Sequence, residues 1–308
     1  MKKTNIIGIC ISIGALVALV LVFVFAFTLN TVNFQLTAQF KQTTRSRLFA
    51  NGVNTENLQE KMQEDAEFKI GCNLLFTKFD SNIEKIEENN PYVKVEKIVR
   101  SFPNKLTVYY SEREPVALLH SNDADDLYYV VDTDLKVLDA VTYDGVQEKY
   151  ISSLSATQPG YVLPVVDDYG EKYTAEVGKI IDNEELKTKI KTIVAGALSA
   201  GDDANALFED VLEPCSNITF ETVSDDKRAT LVLSASNGHI VTATIYSVED
   251  KYFAKVSMLW KVYLSNLKLH DTSDATVVVY VNNSDTYPEY KGKVVVVDKS
   301  TENVINNP

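Results

Sequence analysis

The side chains that most often carry chemistry are sparse and scattered in this chain. His120, His239 and His270 stand far apart, with no Cys-x-x-Cys or His-x-x-x-His spacing that would bring ligands to one cation. Cys10 lies in an apolar run and reads as a small packing residue. Cys72 and Cys215 have no framework spacing, so one disulfide between them or two buried thiols are both open, the thiols being favoured. The aspartates of Ser121–Asp126 and of Asp132–Leu135 suggest a divalent-cation loop, but the alternate ligand positions, central Gly and distal Glu of a calcium loop are missing. They read as solvated turns. There is no Gly-rich phosphate loop, no Gly-x-Ser-x-Gly elbow and no Ser-x-x-Lys beside suitable partners. With 43 Asp and Glu, carboxylate pairs arise by chance and assign no glycosidase. The expectation is a chain that is not an enzyme and holds no metal or cofactor. The chemistry left is that of the backbone: "ATVVVYV" from Ala275 and "KVVVV" from Lys293 are β-branched runs that present N–H and C=O groups at a sheet margin.

The elements that position these residues begin with a membrane anchor. Residues Ile6 to Leu29 contain no charge, and at about 1.5 Å per residue a helix of that length exceeds the roughly 30 Å hydrocarbon core. A cleaved signal peptide is the rival, disfavoured because the run is longer than a usual signal core and no small-x-small site follows. Lys2 and Lys3 lie closer to the run than Lys41, Arg45 and Arg47, which places the N-terminus in the cytoplasm and the bulk outside. The 308 residues suffice for two modest domains, and the net charge of −13 sets most of the surface against nucleic acid and anionic lipid.

After the anchor a weak first strand is expected around Gln42 to Phe49. Asn54 caps a helix carrying Leu58, Met62 and Ala66, and a Ser81/Glu84 capping box starts a second helix that points Ile83 and Ile86 inward and stops at Pro91. Val93, Val95 and Val99 alternate with polar residues, as do Leu106, Val108 and Tyr110. Pro103 and Asn104 turn one strand into the next, and Pro115 marks an edge-strand exit. "LYYVVDTDLKVLDAV" reads as another hairpin. Asp182 or Asn183 caps a helix with a stripe of Leu186, Ile190, Ile193, Val194, Ala197 and Leu198, and a shorter helix carries Leu207, Phe208, Val211 and Leu212. Three strand-like runs follow. Then comes a helix bearing Tyr252, Val256, Leu259, Tyr263, Leu264 and Leu267, with Lys251, Lys255, Lys261 and Lys268 off that face, and finally the two valine runs. Trp260 reads as core. "NIT" at Asn217 and "NNS" at Asn282 are glycosylation acceptors only in a eukaryotic secretory route.

One run carries a family resemblance. An N-terminal span is followed by Asn73-Leu74-Leu75, a pre-strand Pro91, the turn Arg100, Phe102, Pro103, Asn104, and then Glu112, Arg113, Pro115 and Ala117, with "YYVVDTDLKVL" beyond. This resembles the FtsQ/DivIB family of bacterial division proteins, closely over Asn73 to Leu138 and in topology only thereafter. Leu135 stands where the family usually has Gly. The resemblance implies an α+β protein. Its parts are a cytoplasmic tail (1–5), a transmembrane helix (6–29), a POTRA domain of α-β-α-β-β order with a weak first strand (30–119), a mixed α/β "β domain" with an antiparallel sheet (120–298), and a flexible tail (299–308).

It also implies a non-enzymatic divisome scaffold at the septum. Such a scaffold binds FtsB/DivIC-like and FtsL-like membrane proteins by strand addition and helps regulate the septal peptidoglycan synthase complex. The expected partner contacts are Thr276, Val278, Tyr280, Val294 and Val296, or the opposite parity if the register shifts by one; the competing reading makes these valines core. Phe102, Pro103 and Pro115 are read as structural. Arg100, Glu112 and Arg113 are either a docking face or a surface ion-pair lattice worth at most about 1 kcal/mol per exposed pair. The alternatives are a POTRA-containing chaperone-like translocation module and an anchored cell-wall enzyme. The first requires tandem copies or a barrel, and the second requires a nucleophile or metal constellation.

Overall fold

The structure, a computed structural model, describes residues 3–37, 57–142, 163–203, 215–234, 239–267 and 274–305. It divides into two compact units, one running to Arg113 and the other from Glu114 onward. The division falls before the expected boundary at 119/120, because Ala117–His120 pairs as a strand in the second sheet.

In the first unit, α1 (Lys3–Ala26) leads into β1 (Thr31–Leu36), α2 (Leu58–Ala66), α3 (Asp80–Asn89), β2 (Val93–Ser101) and β3 (Lys105–Glu112). Among the described residues no helix is long and apolar enough to cross a membrane. The three-stranded sheet has the order β1-β3-β2, with β1 parallel and β2 antiparallel to β3. Strand β3 alternates as expected: Leu106, Val108 and Tyr110 are buried beneath α2, which contributes Leu58, Met62 and Ala66, and α3, which contributes Ile86. Each buried Leu, Val, Ile or Met among them stabilises the unit by about 1.5–3 kcal/mol.

The order is therefore strand, helix, helix, strand, strand, in place of the expected α-β-α-β-β. Between α2 and α3 lies a loop with a single bridge, Asn73 to Thr28. The first strand is Thr31–Leu36, while the expected 42–49 and the cap at Asn54 lie outside the described residues. No capping box forms, because α3 begins at Asp80 with Phe79 at its cap and Ser81 already inside the helix.

The second unit is built on a nine-stranded sheet of order β12-β11-β10-β9-β8-β7-β4-β5-β6. Its strands are β4 (Ala117–His120), β5 (Leu127–Val131), β6 (Val137–Thr142), β7 (Val165–Asp168), β8 (Cys215–Val223), β9 (Asp226–Ser234), β10 (Ile240–Ile245), β11 (Ala275–Val281) and β12 (Val294–Asp298). The sheet is mixed, not antiparallel: β4/β7, β7/β8 and β10/β11 are parallel pairs whose connections run through helices and long segments. Helix α4 (Glu184–Asp203) is capped by Asn183, whose Oδ1 accepts the Leu186 amide at 2.9 Å. It buries Leu186, Ile190, Ile193 and Ala197 against the sheet core and packs on α5 (Tyr252–Val262), which runs on as a π-turn to Leu267. Helix α5 in turn packs on β10, β11 and β12 with Val256, Leu259 and Trp260 buried. The short helix expected at Leu207–Leu212 lies outside the described residues.

Candidate functional site

Strand β12 closes one margin of the large sheet. Its inner side pairs with β11 in antiparallel register, Val279 opposite Val296 and Val278 opposite Val297. Its outer side takes an extended segment of the chain's own tail. The Ile305 amide donates to Val296 O at 2.9 Å, the Asp298 amide donates to Asn303 O at 3.0 Å, and Val304 bridges Val297. The tail expected to fray from 299 is thus held against β12 as far as Ile305, because the last strand offers outward-facing backbone groups that Asn303 and Ile305 satisfy.

The five expected contact residues do not share a face. Directly opposed residues of an antiparallel pair point the same way, so Val296 lies with Val277 and Val279, in the core under α5, together with Val294. Thr276, Val278 and Tyr280 lie on the other face, where Thr276 is exposed, Tyr280 half-buried and Val278 buried. Val278 and Val296 are therefore packing residues. The chemistry offered at this margin belongs to the backbone.

In the first unit, the β2–β3 turn carries Phe102 and Pro103 exposed across a cis peptide. The Arg100 guanidinium donates to Thr77 O at 2.8 Å and lies 5.6 Å from the Phe79 ring. Arg113 does not join a surface lattice with Glu112. It is buried, donating to Glu87 Oε2 at 3.0 Å and to Val93 O at 3.2 Å, and so ties the end of β3 to α3 and the start of β2. Glu112 is half-buried, and desolvation holds its carboxyl above the usual carboxylate range. Beside the turn an open groove of about 490 Å³ is walled by Phe79, Ile83, Val99 and Phe102.

Sequence reasoning missed two buried cations. Lys189 of α4 pairs with Glu185 at 2.9 Å and Asp168 at 3.5 Å and lies 4.4 Å over the Tyr169 ring. Asp168 also accepts the Tyr173 hydroxyl at 2.7 Å. Burial opposes the charge on Lys189, but Glu185 and Asp168 outweigh it and raise its pKa. Lys255, expected off the apolar face of α5, is 1% exposed; its Nζ donates to Tyr246 O at 2.8 Å and Ser247 O at 3.0 Å, and burial lowers its pKa. An amphipathic period cannot reveal a lysine that reaches carbonyls at the end of a neighbouring strand.

Cys72 and Cys215 are free thiols, and burial pushes that of Cys215 up to about 12, far from a reactive thiolate. Among the described residues no three His, Cys, Asp or Glu side chains converge on a cation site.

The molecule is thus an α+β protein of two units whose distinctive surfaces are a sheet margin and an aromatic turn. The chain is similar to cell division protein DivIB of Clostridium botulinum strain Hall, 25% identical over 123 residues, which are 36% of this chain and 46% of that protein. It is also similar to cell division protein DivIB of strain Loch Maree, 25% identical over 134 residues, 41% of this chain and 48% of that protein. The chain spans about half the length of the curated relatives it matches. Both bear out the FtsQ/DivIB resemblance. No protein-family profile matches the chain.

Proposed function

We propose that this chain is a membrane-anchored cell-division protein that acts as a non-enzymatic scaffold. It holds FtsB/DivIC-like and FtsL-like partners at the septum by strand addition at β12, and through them it helps govern septal peptidoglycan synthesis. The observation that carries the reading is the extended pairing of Asn303–Ile305 along the outer side of β12, evidence that this margin accepts a strand. A partner strand would exchange with or extend that pairing, gaining ladder hydrogen bonds of about 1 kcal/mol each. The names of the two relatives supply the cellular role. The anchor is α1, whose side chains from Ile11 to Phe25 stand exposed on every side of the helix, a pattern that suits lipid on all sides and not a protein core on one. Lys2 and Lys3 keep its N-terminus cytoplasmic and leave the bulk of the chain outside.

The test is co-purification with a DivIC-like partner from membranes. Val294 lies two residues before Val296 and shares its outward backbone direction. Val294→Pro, which also loses some packing under α5, is expected to abolish capture while the cooperative urea transition reported by Trp260 shows the second unit still folded. Undiminished capture by this variant refutes strand addition at β12.

A further inference from the structure

The loop between α2 and α3 does more than connect. It closes the end of α1: the Leu74 amide donates to Phe27 O at 2.8 Å, the Leu29 amide to Cys72 O at 2.8 Å and the Gly71 amide to Leu29 O at 2.8 Å. The Asn73 side-chain amide reaches Val24 O at 3.2 Å. Helix ends leave carbonyls without intrahelical partners, and here one loop supplies them, which fixes its orientation to the helix. The β2–β3 turn joins from the other side, with the Phe102 ring edge-on to Phe27 at 5.3 Å and Arg100 bonded to Thr77 of the loop. This foot carries large apolar side chains that its own unit leaves open to solvent: Phe76 is 81% exposed, Phe102 53% and Ile70 53%, with Leu75 also exposed.

Its charge differs from that of the chain. Residues 69–78 and 97–105 bear Lys69, Lys78, Lys97, Arg100 and Lys105 and no carboxylate, with Asp80 the one acidic side chain on the groove beside Arg100 and Phe102, although the whole chain has a net charge of −13. Lys69 and Lys78 bracket the loop, Arg100 and Lys105 bracket the turn, and all four side chains are exposed. Exposed aromatic side chains on cation-rich segments of an acidic protein suit the interface of a bilayer containing anionic phospholipid.

We propose that the foot is a seat on that interface. It rests on the reading of α1 as the membrane anchor. With α1 inserted, hydrogen bonds within about one helical turn of its end leave the loop no place but the headgroup layer. Phe76 and Phe102 then enter the acyl boundary while the lysines and Arg100 meet lipid phosphates. The anchored unit has its tilt fixed by lipid contact and does not swing on a free tether.

The experiment uses the full chain reconstituted in vesicles of phosphatidylcholine, with or without phosphatidylglycerol, carrying Phe76→Trp, Phe102→Trp or, for the anchor, Leu19→Trp. Buried Trp260 stays in place as a constant background, subtracted with the unsubstituted chain. Lipids brominated near the headgroup are expected to quench the Phe76→Trp and Phe102→Trp reporters, roughly halving their emission and shifting it to the blue. Deeply brominated lipids are expected to quench Leu19→Trp. Adding Lys69→Ser and Lys78→Ser to the Phe76→Trp chain is expected to remove the preference for phosphatidylglycerol. Quenching of Leu19→Trp without quenching of the foot reporters overturns the proposal and leaves the anchor standing. Foot reporters shielded from both lipid and aqueous acrylamide overturn it in favour of a protein cover. Failure of Leu19→Trp to be quenched removes the anchor and the proposal together.

Discussion

Gly196 lies where α4 crosses α5, and the crossing is too close for any side chain. A Cβ at this position would stand 2.7 Å from Val256 Cγ1, 2.9 Å from Val256 Cβ and 3.2 Å from the Ser257 amide nitrogen. Ordinary carbon contacts are about 3.5–4.0 Å, so Gly196→Ala demands close to an ångström of relief. Val256 is β-branched and stiff in a helix, and its neighbour in the clash is backbone. The relief must therefore come from α5 backing away. Overpacking of this kind costs about 1–3 kcal/mol, while alanine in a helix interior gains about 1 kcal/mol over glycine. The net expectation is a loss of about 1 kcal/mol. Trp260, the chain's only tryptophan, is buried on α5 and reports the unfolding of this unit alone. With a urea slope of about 2 kcal/mol/M the midpoint should fall by about 0.5 M. A double-mutant cycle tests the clash: Val256→Ala should cost less in the Gly196→Ala background than alone, with a coupling of about 1–2 kcal/mol. A midpoint that rises, as helix propensity alone demands, or a cycle without coupling, refutes the reasoning. Because α5 backs β10, β11 and β12, the same crossing sets the seat of the sheet margin.

Lys189→Met strands Asp168, whose side chain is slightly more buried, and should lower the stability of the second unit by about 3 kcal/mol at neutral pH; adding Asp168→Asn should recover part of the loss in the same urea titration. Because the folded pKa of Lys189 is raised, its contribution is complete below the ordinary lysine range and is lost as the pH climbs through the folded value. The gap between wild type and variant should therefore close at alkaline pH. Glu112 has the opposite consequence: its raised pKa penalises the folded state at pH values above that pKa, so Glu112→Gln should slow amide exchange along β3 at neutral pH, and the difference should vanish as the pH falls through the carboxylate range. A stop after Ser300 strips Asn303–Ile305 from β12 and should yield larger species in sedimentation than the full chain, as uncovered strand margins do. An unchanged distribution would mean that the tail does not guard the margin.

The parts of the fold legible in the sequence are those whose signal is local. The β2–β3 hairpin shows because Leu106, Val108 and Tyr110 alternate over one buried face and a Pro-Asn turn precedes them. Helix α4 shows because its stripe recurs at helical spacing above an Asn cap. Strand β1 was not legible: "TVNFQL" pairs in parallel with β3, so no turn joins the two and no neighbour in sequence announces the pairing. The unit boundary was misplaced because Ala117–His120 reads as a continuation of β3, and only its pairing with β5 and β7 assigns it to the second sheet.

Long-range side-chain partners were invisible for the same reason. The Glu87 that neutralises Arg113 sits on α3, and the carbonyls that hold Lys255 lie at the end of β10. Leu135 shows a competition no pattern resolves. It adopts φ +58°, where glycine is at ease, because its side chain is fully buried in the core. At the candidate margin the valine runs announced strands, but which parity faces α5 depended on a register fixed by packing. The foot of the first unit escaped notice because a net charge summed over the chain hides two short cationic segments that only the fold brings together.

The most direct test of the central claim is where the protein goes in dividing cells. A fluorescent fusion to the full chain, expressed at native level in the cells it comes from, is expected to collect as a band at midcell as the septum forms. A uniform signal around the envelope throughout the cycle would contradict the account.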